Sequence, residues 1–386
     1  MNLRFLASAL SVATLCGCSS ASIDDSANGA TNGGASAVVE PVTLVNVYSP
    51  TSKVPLSATA VAFNPMVDGE LWALLRQFPS GKACTMTDDG GCDALVGVAA
   101  VISDATGDAP RGVIKQDGNA WHFMRRPTAI AWGDDLIFSS CGEGYTDNYE
   151  DVAMPYAGPV LWSSDPTIFG VTPKPNQNGT HIDMLHETPY CMGLAHESAN
   201  IFWAFNGNAG SLDRVDFHSP HAVGGEDHSD GEVHRYVTGT LKRVPEVPSH
   251  VAYDSGRGLV YVADTGNARV LSVDPSTAKA GGTIEVWDNL APQATGAMDG
   301  ATVHELVPAG TLQQPSGLAF ADDVLYVTDN ATSLIYLFDA SGHAQRTFDT
   351  ALPAGSLAGI TIGPDQKMYI TNLLTGNVER VEVTAK

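Results

Sequence analysis

The sequence predicts an all-β protein, a six-bladed β-propeller of four-stranded antiparallel blades, and three observations lead to this fold. A short apolar segment recurs six times, with Ala or Gly at its second position in five copies and Ala at its fourth position in five copies. A run rich in β-branched and aromatic residues follows each copy after turn residues, which is typical of a β-hairpin. A self-similar unit that recurs at roughly 40 residues or more indicates a repeat architecture such as a propeller.

The strands of each unit can be placed in order from this pattern. The first strands are predicted at residues 59–63, 128–132, 192–196, 249–253, 316–320 and 358–362. The second strands are predicted at residues 71–74, 136–139, 201–204, 260–263, 325–328 and 368–371. The third strands are predicted at residues 95–102, 160–163, 212–217, 269–274, 334–339 and 378–383.

The fourth strands are predicted at residues 120–124, 181–186, 232–237, 283–287, 345–349 and, from the N-terminal end, 42–48. The last of these would complete the sixth unit and close the ring. Closure of this kind removes an exposed sheet edge. The small residues of the first strands fit the fold, because innermost strands crowd around the axis of a propeller.

The fourth unit, residues 248–270, resembles an NHL repeat, and its Asp264, Asn267 and Arg269 match the Asp-x-x-Asn-x-Arg core of that repeat. The unit at 315–339 is similar, and the unit at 357–383 is similar more loosely. The first three units have long inserts and lack this core. The resemblance implies an NHL-type propeller in which the three core residues brace a loop. It says little about function, because propellers include both binding modules and enzymes.

The N-terminal segment predicts export and a lipid anchor. Residues 1–18 have a short positive start and a short apolar core, and they end in a sequence that resembles a bacterial lipobox with Cys18 as the lipid-accepting residue. Residues 19–40 are rich in Ser, Ala, Gly and Asn and predict a flexible tether, and residues 41–386 predict the propeller domain. Since Ser19 rather than Asp follows Cys18, we expect an extracytoplasmic protein of the outer membrane, at its periplasmic side or at the cell surface.

The charge of the chain limits its partners. The formal net charge is −23, with 20 basic residues, so the surface repels nucleic acid and anionic lipid. We therefore expect no nucleic-acid partner and contact with a membrane only through the anchor. We expect the protein to be a monomer that binds a small molecule, a peptide or a protein.

Four cysteines follow the predicted lipobox, and an even number in an oxidising compartment suggests disulfides. Cys84 and Cys92 share one insert of the first unit. Cys141 ends the second strand of the second unit and Cys191 begins the first strand of the third, and these strand ends lie on the same rim of neighbouring blades. The predicted pairs are Cys84–Cys92 and Cys141–Cys191.

Histidines give the main functional indication, since eight of the 11 lie between His181 and His250. Connections from fourth to first strands and from second to third strands emerge on one face of a propeller. This face is predicted to include the candidate ligand-binding residues His250, His186 and Arg125, and the candidate catalytic residues Tyr190 and Arg126. His250 replaces the small residue of the other copies, so it could bind a ligand or a metal with His186, or donate a hydrogen bond to another blade.

A second polar group lies between the third and fourth strands of the third unit and should emerge on the opposite face. His218, His221, His228 and Asp230 have a spacing that would let a loop wrap around a divalent cation such as zinc or calcium. A solvated polar loop is the other interpretation. His181, on a predicted outer strand, is interpreted as structural.

Two functions from different classes remain open. The first is a surface-tethered binding scaffold without catalysis, which fits the anchor, the tether and the deep inserts of the first three units. The second is a metal-dependent lyase or hydrolase at the mouth of the central channel. Peptide-amidating lyases have a similar NHL-like ring with histidine ligands, and here His250 alone occupies the matching column. In that case His250 and His186 would be ligands, and Tyr190 or Arg126 would assist charge or proton transfer.

Overall fold

A computed structural model describes residues 38–52, 55–77, 96–146, 155–171, 178–286 and 294–383. The chain divides into two units, Met1–Ser36 and Ala37–Lys386, and every described residue belongs to the second. This unit is all-β, a propeller-like arrangement of four-stranded antiparallel sheets. No helix in the described part of the chain has the length and apolar character needed to cross a membrane.

Successive strands pair in antiparallel sets, which are numbered here in chain order. The first described strand is β1 (Val39–Tyr48). Set one contains β2 (Leu56–Phe63), β3 (Leu71–Gln77), β4 (Gly97–Ser103) and β5 (Arg111–Lys115). Set two contains β6 (Pro127–Trp132), β7 (Ile137–Gly142), β8 (Val160–Ser163) and β9 (His181–Met184). Set three contains β10 (Cys191–Ser198), β11 (Ile201–Asn206), β12 (Ser211–Asp216) and β13 (Glu232–Tyr236).

The later sets continue the pattern with one interruption. Set four begins with β14 (Val251–Asp254), β15 (Leu259–Asp264) and β16 (Arg269–Asp274). Two strands, β17 (Lys279–Ala280) and β18 (Ala294–Asp299), precede its last strand, β19 (Thr302–Val307). Set five contains β20 (Pro315–Ala321), β21 (Val324–Asp329), β22 (Leu334–Asp339) and β23 (Ala344–Asp349). Set six contains β24 (Leu357–Ile362), β25 (Met368–Asn372) and β26 (Val378–Val383) together with β1.

Strand β1 joins the two ends of the described chain. Its residues from Val42 onward pair antiparallel with β26, with Val42 opposite Val383. Its first residues pair in parallel with β23, with Val39 opposite Thr347, so sets five and six form one eight-stranded sheet. The strand begins two residues before residue 41, where the sequence places the start of the domain, because Val39 and Glu40 already pair with β23.

The core lies between facing sheets. Trp72 of set one is fully buried and packs against Trp132 and Phe138 of set two, at ring-centroid distances of 5.4 Å and 5.1 Å. Aromatic side chains of this size supply most of the buried apolar area of such an interface. The packing therefore fixes the positions of neighbouring sheets relative to one another.

Close approach of the first strands explains their small residues. A Cβ atom added at Gly193 of β10 would lie 2.2 Å from the carbonyl oxygen of Ser249, and one added at Gly317 of β20 would lie 2.1 Å from that of Ala358. Both distances are far below van der Waals contact, so only glycine allows these strands to approach as closely.

Two outer strands differ from the sequence prediction. In set one the fourth strand is Arg111–Lys115, and the predicted strand at 120–124 is instead a helical turn, α1 (Ala120–Phe123). Asp117 initiates this turn, since its carbonyl oxygen accepts from Ala120 N at 3.2 Å and its side chain accepts from Asn119 N at 2.8 Å. The true strand is mostly exposed, so it has no apolar pattern that would reveal it.

In set four the outer strand is Thr302–Val307 rather than the predicted 283–287. Residues 281–286 have no regular structure, and β18 pairs in parallel with β13, which extends set three to six strands through β17. Two further short 3₁₀ turns, Thr265–Asn267 and Pro275–Thr277, flank β16.

The predicted disulfide between Cys141 and Cys191 is confirmed. It joins the penultimate residue of β7 to the first residue of β10, with a Cα–Cα distance of 5.7 Å. It therefore links sets two and three covalently. Cys18, Cys84 and Cys92 lie outside the described residues.

Candidate functional site

His250, immediately before β14, reaches across the first strands of three sets. Its Nε2 atom lies 3.0 Å from the carbonyl oxygen of Thr128 on β6, and a Cβ atom added at Gly359 of β24 would lie 3.2 Å from its Cε1 atom. A carbonyl can only accept, so Nε2 is the protonated nitrogen and donates. Burial lowers the pKa of His250 to about 4, and the bond to Thr128 only partly opposes this effect. The neutral imidazole therefore connects sets two and four.

His186 lies in a different environment. Its ring stacks on Tyr156 at 3.8 Å and is 5.7 Å from the ring of His228 and 6.3 Å from that of His122. The ring of His250, in contrast, bonds to the carbonyl oxygen of Thr128. The structure thus places the two predicted metal ligands among different neighbours.

Arg126 belongs to an ion-pair network that we call the arginine cluster, and Tyr190 lies beside this network. The cluster is formed by the side chains of Arg76, Arg126, Glu143, Arg243 and Glu246. Glu143 Oε2 lies 3.2 Å from Arg76 Nη1, and its Oε1 lies 2.6 Å from Arg243 Nη1. Glu246 Oε1 lies 2.8 Å from Arg126 Nη2. The three guanidinium groups and two carboxylates give the cluster a net charge of +1.

Three sets contribute to the arginine cluster through strand ends on one rim. Arg76 lies near the end of β3 and Glu143 follows β7 directly. Arg126 directly precedes β6, while Arg243 and Glu246 lie in the connection from β13 to β14. Apart from Arg76, which lies within β3, the members of the cluster therefore come from the connections that the sequence places on one face.

The cluster is buried on one side and open on the other. The side chains of Arg76 and Glu143 are each 1% exposed, whereas those of Arg126 and Arg243 are 21% and 22% exposed. Burial lowers the pKa of Arg76, and the charges of Glu143 and Glu246 oppose this effect. The Nε atoms of Arg76 and Arg126 are buried without a hydrogen-bond partner.

The backbone around the cluster is strained. Arg126, Tyr190 and Glu246 have φ values of 47°, 52° and 69°, a left-handed conformation that non-glycine residues seldom adopt. The guanidinium of Arg243 lies over the ring of Tyr190, 3.9 Å from its centroid. Such strain is stored preferentially at functional sites, where the surrounding structure imposes it. Arg125 is directed elsewhere, since its Nη1 donates to the carbonyl oxygen of Thr146 at 3.1 Å.

A second constellation, which we call the histidine cluster, consists of His181, His221 and His228. One potential ligand atom from each residue lies within 4.8 Å of the others. Among the described residues, no other three His, Cys, Asp or Glu side chains come this close together. His181 begins β9, whereas His221 and His228 lie in the connection from β12 to β13. The cluster thus joins sets two and three.

The other predicted ligands of this connection have different roles. His218 is 42% exposed, and its Nε2 lies 3.4 Å from Glu232 Oε1 and 3.7 Å from Asp216 Oδ2. Asp230 Oδ2 accepts from the backbone N of Ser219 at 3.1 Å. Among the predicted metal ligands the structure therefore groups His221 with His228 and adds His181, which the sequence had assigned a structural role.

Asp183 is a further buried titratable group on β9. Its side chain is almost fully buried and its Oδ2 atom has no hydrogen-bond partner. Burial, together with the weaker effect of the charges of Asp230 and Asp227, raises the pKa of Asp183 to about 8, although the bond from Met184 N opposes this rise. The carboxyl group is therefore protonated over most of the neutral range.

Comparison with known proteins supports the fold and assigns no family. No protein-family model matches the chain, and no curated protein is similar to it in sequence. Among solved structures, a protein of unknown function from Bacteroides thetaiotaomicron is similar at a TM-score of 0.52 and 10% identity, over 88% of this chain and 76% of that chain.

Two auxiliary nutrient binding proteins are similar at TM-scores of 0.50. The one from Bacteroides thetaiotaomicron is 11% identical over 84% of this chain and 68% of that chain. The one from Bacteroides ovatus is 9% identical over 90% of this chain and 78% of that chain. At these identities the similarity concerns the propeller-like fold alone.

Proposed function

We propose that the chain is a lipid-anchored, extracytoplasmic binding propeller whose ligand site is the arginine cluster and whose ligand is a small anion. In this proposal Cys18 accepts the lipid, residues 19–38 form the tether, and the protein acts as a monomer at the outer membrane. Two nutrient binding proteins share the propeller-like fold, so this fold is compatible with a role in binding.

The proposed domain is an NHL-like ring of six blades that β1 closes. Contacts between the first strands support it, since they run from β2 to β6, β10, β14, β20 and β24, and β24 contacts β2 again. The bracing predicted for the NHL core also has support. Asn267 Nδ2 and Arg269 Nε donate to Asp264 Oδ2 at 2.9 Å and 2.8 Å. A ring of this kind presents the loops of one rim around a common mouth.

The observation that supports an anionic ligand is the excess of cationic donors in the arginine cluster. Three guanidinium groups face two carboxylates, and the Nε atoms of Arg76 and Arg126 have no acceptor. Guanidinium groups bind carboxylate and phosphate through paired, charge-assisted hydrogen bonds. An anion with two or more oxygens would satisfy donors at Arg126 and Arg243, the two arginines that are partly exposed.

Selectivity follows from the contrast between the cluster and the whole chain. The net charge of −23 disfavours large polyanions, which would meet repulsion over a wide surface. A small anion is screened from distant charges beyond about 8 Å at physiological ionic strength, so it responds mainly to the local charge of +1. We therefore propose a monosaccharide acid, a short dicarboxylate or a phosphate as the ligand class.

In this proposal Arg126 and Tyr190 bind and position the ligand rather than catalyse a reaction. Arg126 and Arg243 contact the anion, and Tyr190 holds Arg243 by stacking. A metal-dependent lyase or hydrolase at the channel mouth has weaker support, because the Nε2 atom of His250 is engaged with Thr128 O.

A thermal-shift titration tests the proposal with galacturonate, succinate and inorganic phosphate as probes. A ligand at about 100 times its Kd stabilises the folded state by about 2.7 kcal/mol, which is a measurable rise in Tm. We expect at least one probe to raise the Tm of the wild type and to leave that of Arg126→Gln and Arg243→Gln unchanged.

The matched control is Arg257→Gln. Arg257 forms ion pairs with Asp254 of β14 and with Asp323 in the loop after β20, and neither partner belongs to the arginine cluster. Its response to the probe should equal that of the wild type. Equal responses in all four proteins would show that the anion binds elsewhere, and the assignment of the site to the arginine cluster would be wrong.

A further inference from the structure

We propose that His181, His221 and His228 bind one zinc ion, which fastens the connection between β12 and β13 to the edge strand β9 of the neighbouring set. The site is separate from the arginine cluster, so the inference does not depend on the proposed anion site. Three observations support the proposal: the distances between the histidines, the tautomers of two imidazoles, and the hydrogen bonds that hold the loop.

The distances are compatible with a single tetrahedral ion. The three ligand atoms lie within 4.8 Å of one another. Zn–N bonds of about 2.0–2.1 Å in a tetrahedron place ligand nitrogens about 3.3 Å apart. The ligand atoms would therefore have to approach one another by at most about 1.5 Å to complete the site.

Hydrogen bonds at Nδ1 fix the tautomers of two of the three imidazoles. His181 Nδ1 lies 2.8 Å from the carbonyl oxygen of Asn178, and His221 Nδ1 lies 2.7 Å from that of Ala222. Since a carbonyl only accepts, both Nδ1 atoms hold the proton and both Nε2 atoms keep a lone pair. A hydrogen bond from the distal nitrogen to a backbone carbonyl is the usual way in which proteins orient a metal-binding histidine.

The lone pair of His221 requires a partner. Its Nε2 atom is buried and has no hydrogen-bond partner, whereas buried polar atoms in folded proteins are almost always paired. A cation at this position would supply the missing partner.

Backbone hydrogen bonds attach the loop that contributes two ligands to strand β9. His221 N donates to the carbonyl oxygen of Ile182 at 2.9 Å, and Gly224 N donates to that of His181 at 2.8 Å. Gly225 lies between the ligands His221 and His228. A side chain at this position would not fit, because a Cβ atom there would lie 2.7 Å from His221 Nδ1. On the other side, Phe123 stacks on the His181 ring at 3.8 Å. The ligands are thus held close together before the metal arrives, which limits the entropic cost of binding.

The donor set selects the ion. Three imidazole nitrogens suit zinc, copper or nickel, whereas calcium and magnesium prefer oxygen ligands. Zinc adopts a tetrahedron readily, and three histidines leave its fourth position for water or another small ligand. Of the two ions that the sequence suggests, the donor set therefore favours zinc over calcium.

Metal analysis of the full mature chain, purified without a polyhistidine tag, tests the site. The protein is stripped with a chelator, dialysed, and titrated with zinc sulfate. We expect one zinc per chain and a rise in Tm for the wild type. For His221→Ala and His228→Ala we expect an affinity loss of roughly 100-fold or more, because losing a residue that merely orients a ligand already costs up to about 100-fold.

The control is His218→Ala in the same loop, since His218 is partly exposed and faces Asp216 and Glu232 instead of the cluster. It should bind zinc like the wild type. His221 is only half buried, so its replacement keeps the fold testable even if His228→Ala does not fold. Absence of zinc binding to the wild type, or equal binding to the wild type and His221→Ala, would overturn the proposal.

Cobalt substitution gives a second readout. Co(II) bound to three histidines and water in a tetrahedron has intense visible absorption, and the His221→Ala variant should lose these bands. Weak absorption typical of six-coordinate Co(II) in the wild type would contradict the tetrahedral site.

Discussion

Replacing Glu143 by Gln should have opposite effects on stability and on anion binding. Glu143 is 1% exposed and its carboxylate lies 3.2 Å, 3.4 Å and 2.6 Å from guanidinium nitrogens of Arg76, Arg126 and Arg243. The amide preserves the size of the side chain but removes the charge. Arg76 then remains buried with less compensation, and the cluster changes from a net charge of +1 to +2.

The magnitude follows from the burial of the pair. Removing one partner of a buried ion pair costs about 3–5 kcal/mol, because the other charge is left uncompensated. Glu143 also accepts from Glu246 N at 3.0 Å and 3.1 Å, and the amide can keep one of these bonds. We therefore expect the free energy of unfolding to fall by about 3–5 kcal/mol. The affinity for an anion at Arg126 and Arg243 should rise, since the opposing carboxylate charge is gone.

Urea unfolding followed by tryptophan fluorescence measures the first effect, and calorimetric titration with the anion that shifts the Tm most measures the second. The control is Glu197→Gln, because Glu197 pairs with Arg214 at 2.6 Å but both side chains are partly exposed. Such a pair contributes about 0.2–1 kcal/mol. If Glu143→Gln and Glu197→Gln cost the same, or if Glu143→Gln weakens anion binding, the reasoning about the cluster is wrong.

Three further predictions concern the fold. The Cys141→Ala/Cys191→Ala double variant should lose about 4 kcal/mol of stability in urea unfolding. The disulfide closes a loop with a sequence separation of 50, and its stabilising effect grows with the logarithm of the loop length. A loss below about 1 kcal/mol would contradict this prediction. Because burial lowers the pKa of His250 to about 4 from the ordinary histidine value of 6.5, the unfolded state binds more protons between these values. Stability should therefore fall as pH decreases from 6.5 towards 4, by up to about 1.4 kcal/mol per pH unit for this group, and His250→Gln should make that slope shallower in urea unfolding at several pH values. A chain that lacks residues 19–37 should unfold at the same Tm as the full mature chain, whereas one that lacks residues 19–48 also loses β1 and should unfold at a markedly lower Tm; equal Tm values would show that β1 contributes nothing to closure.

The sequence predicts the inner strands well because their pattern reflects burial on both faces. Segments such as residues 316–320 and 325–328 lie within β20 and β21, where apolar and small residues are required. Outer strands face solvent on one side, so their composition is less constrained. The exposed strand Arg111–Lys115 therefore has no pattern that identifies it, whereas the aromatic segment 120–124 has the composition of a strand although residues 120–123 form α1.

The candidate sites depend on contacts that no local pattern reveals. The connections that hold Arg126 and Tyr190 follow from strand order, and the sequence places both on one face. Arg76 gives no such signal, because it lies inside a strand and its partners Glu143 and Glu246 are 67 and 170 residues away. The abundance of histidine between His181 and His250 indicated a metal site, but the pairing of His181 with the loop depends on how two neighbouring sheets pack.

The most direct test of the account is a crystal structure of the protein grown with galacturonate, succinate or inorganic phosphate. We predict electron density for the anion with its oxygens within hydrogen-bond distance of the guanidinium groups of Arg126 and Arg243, above the ion pair of Arg76 with Glu143. An anion bound to another part of the protein, with the arginine cluster unchanged, would contradict the assignment of the cluster as the binding site.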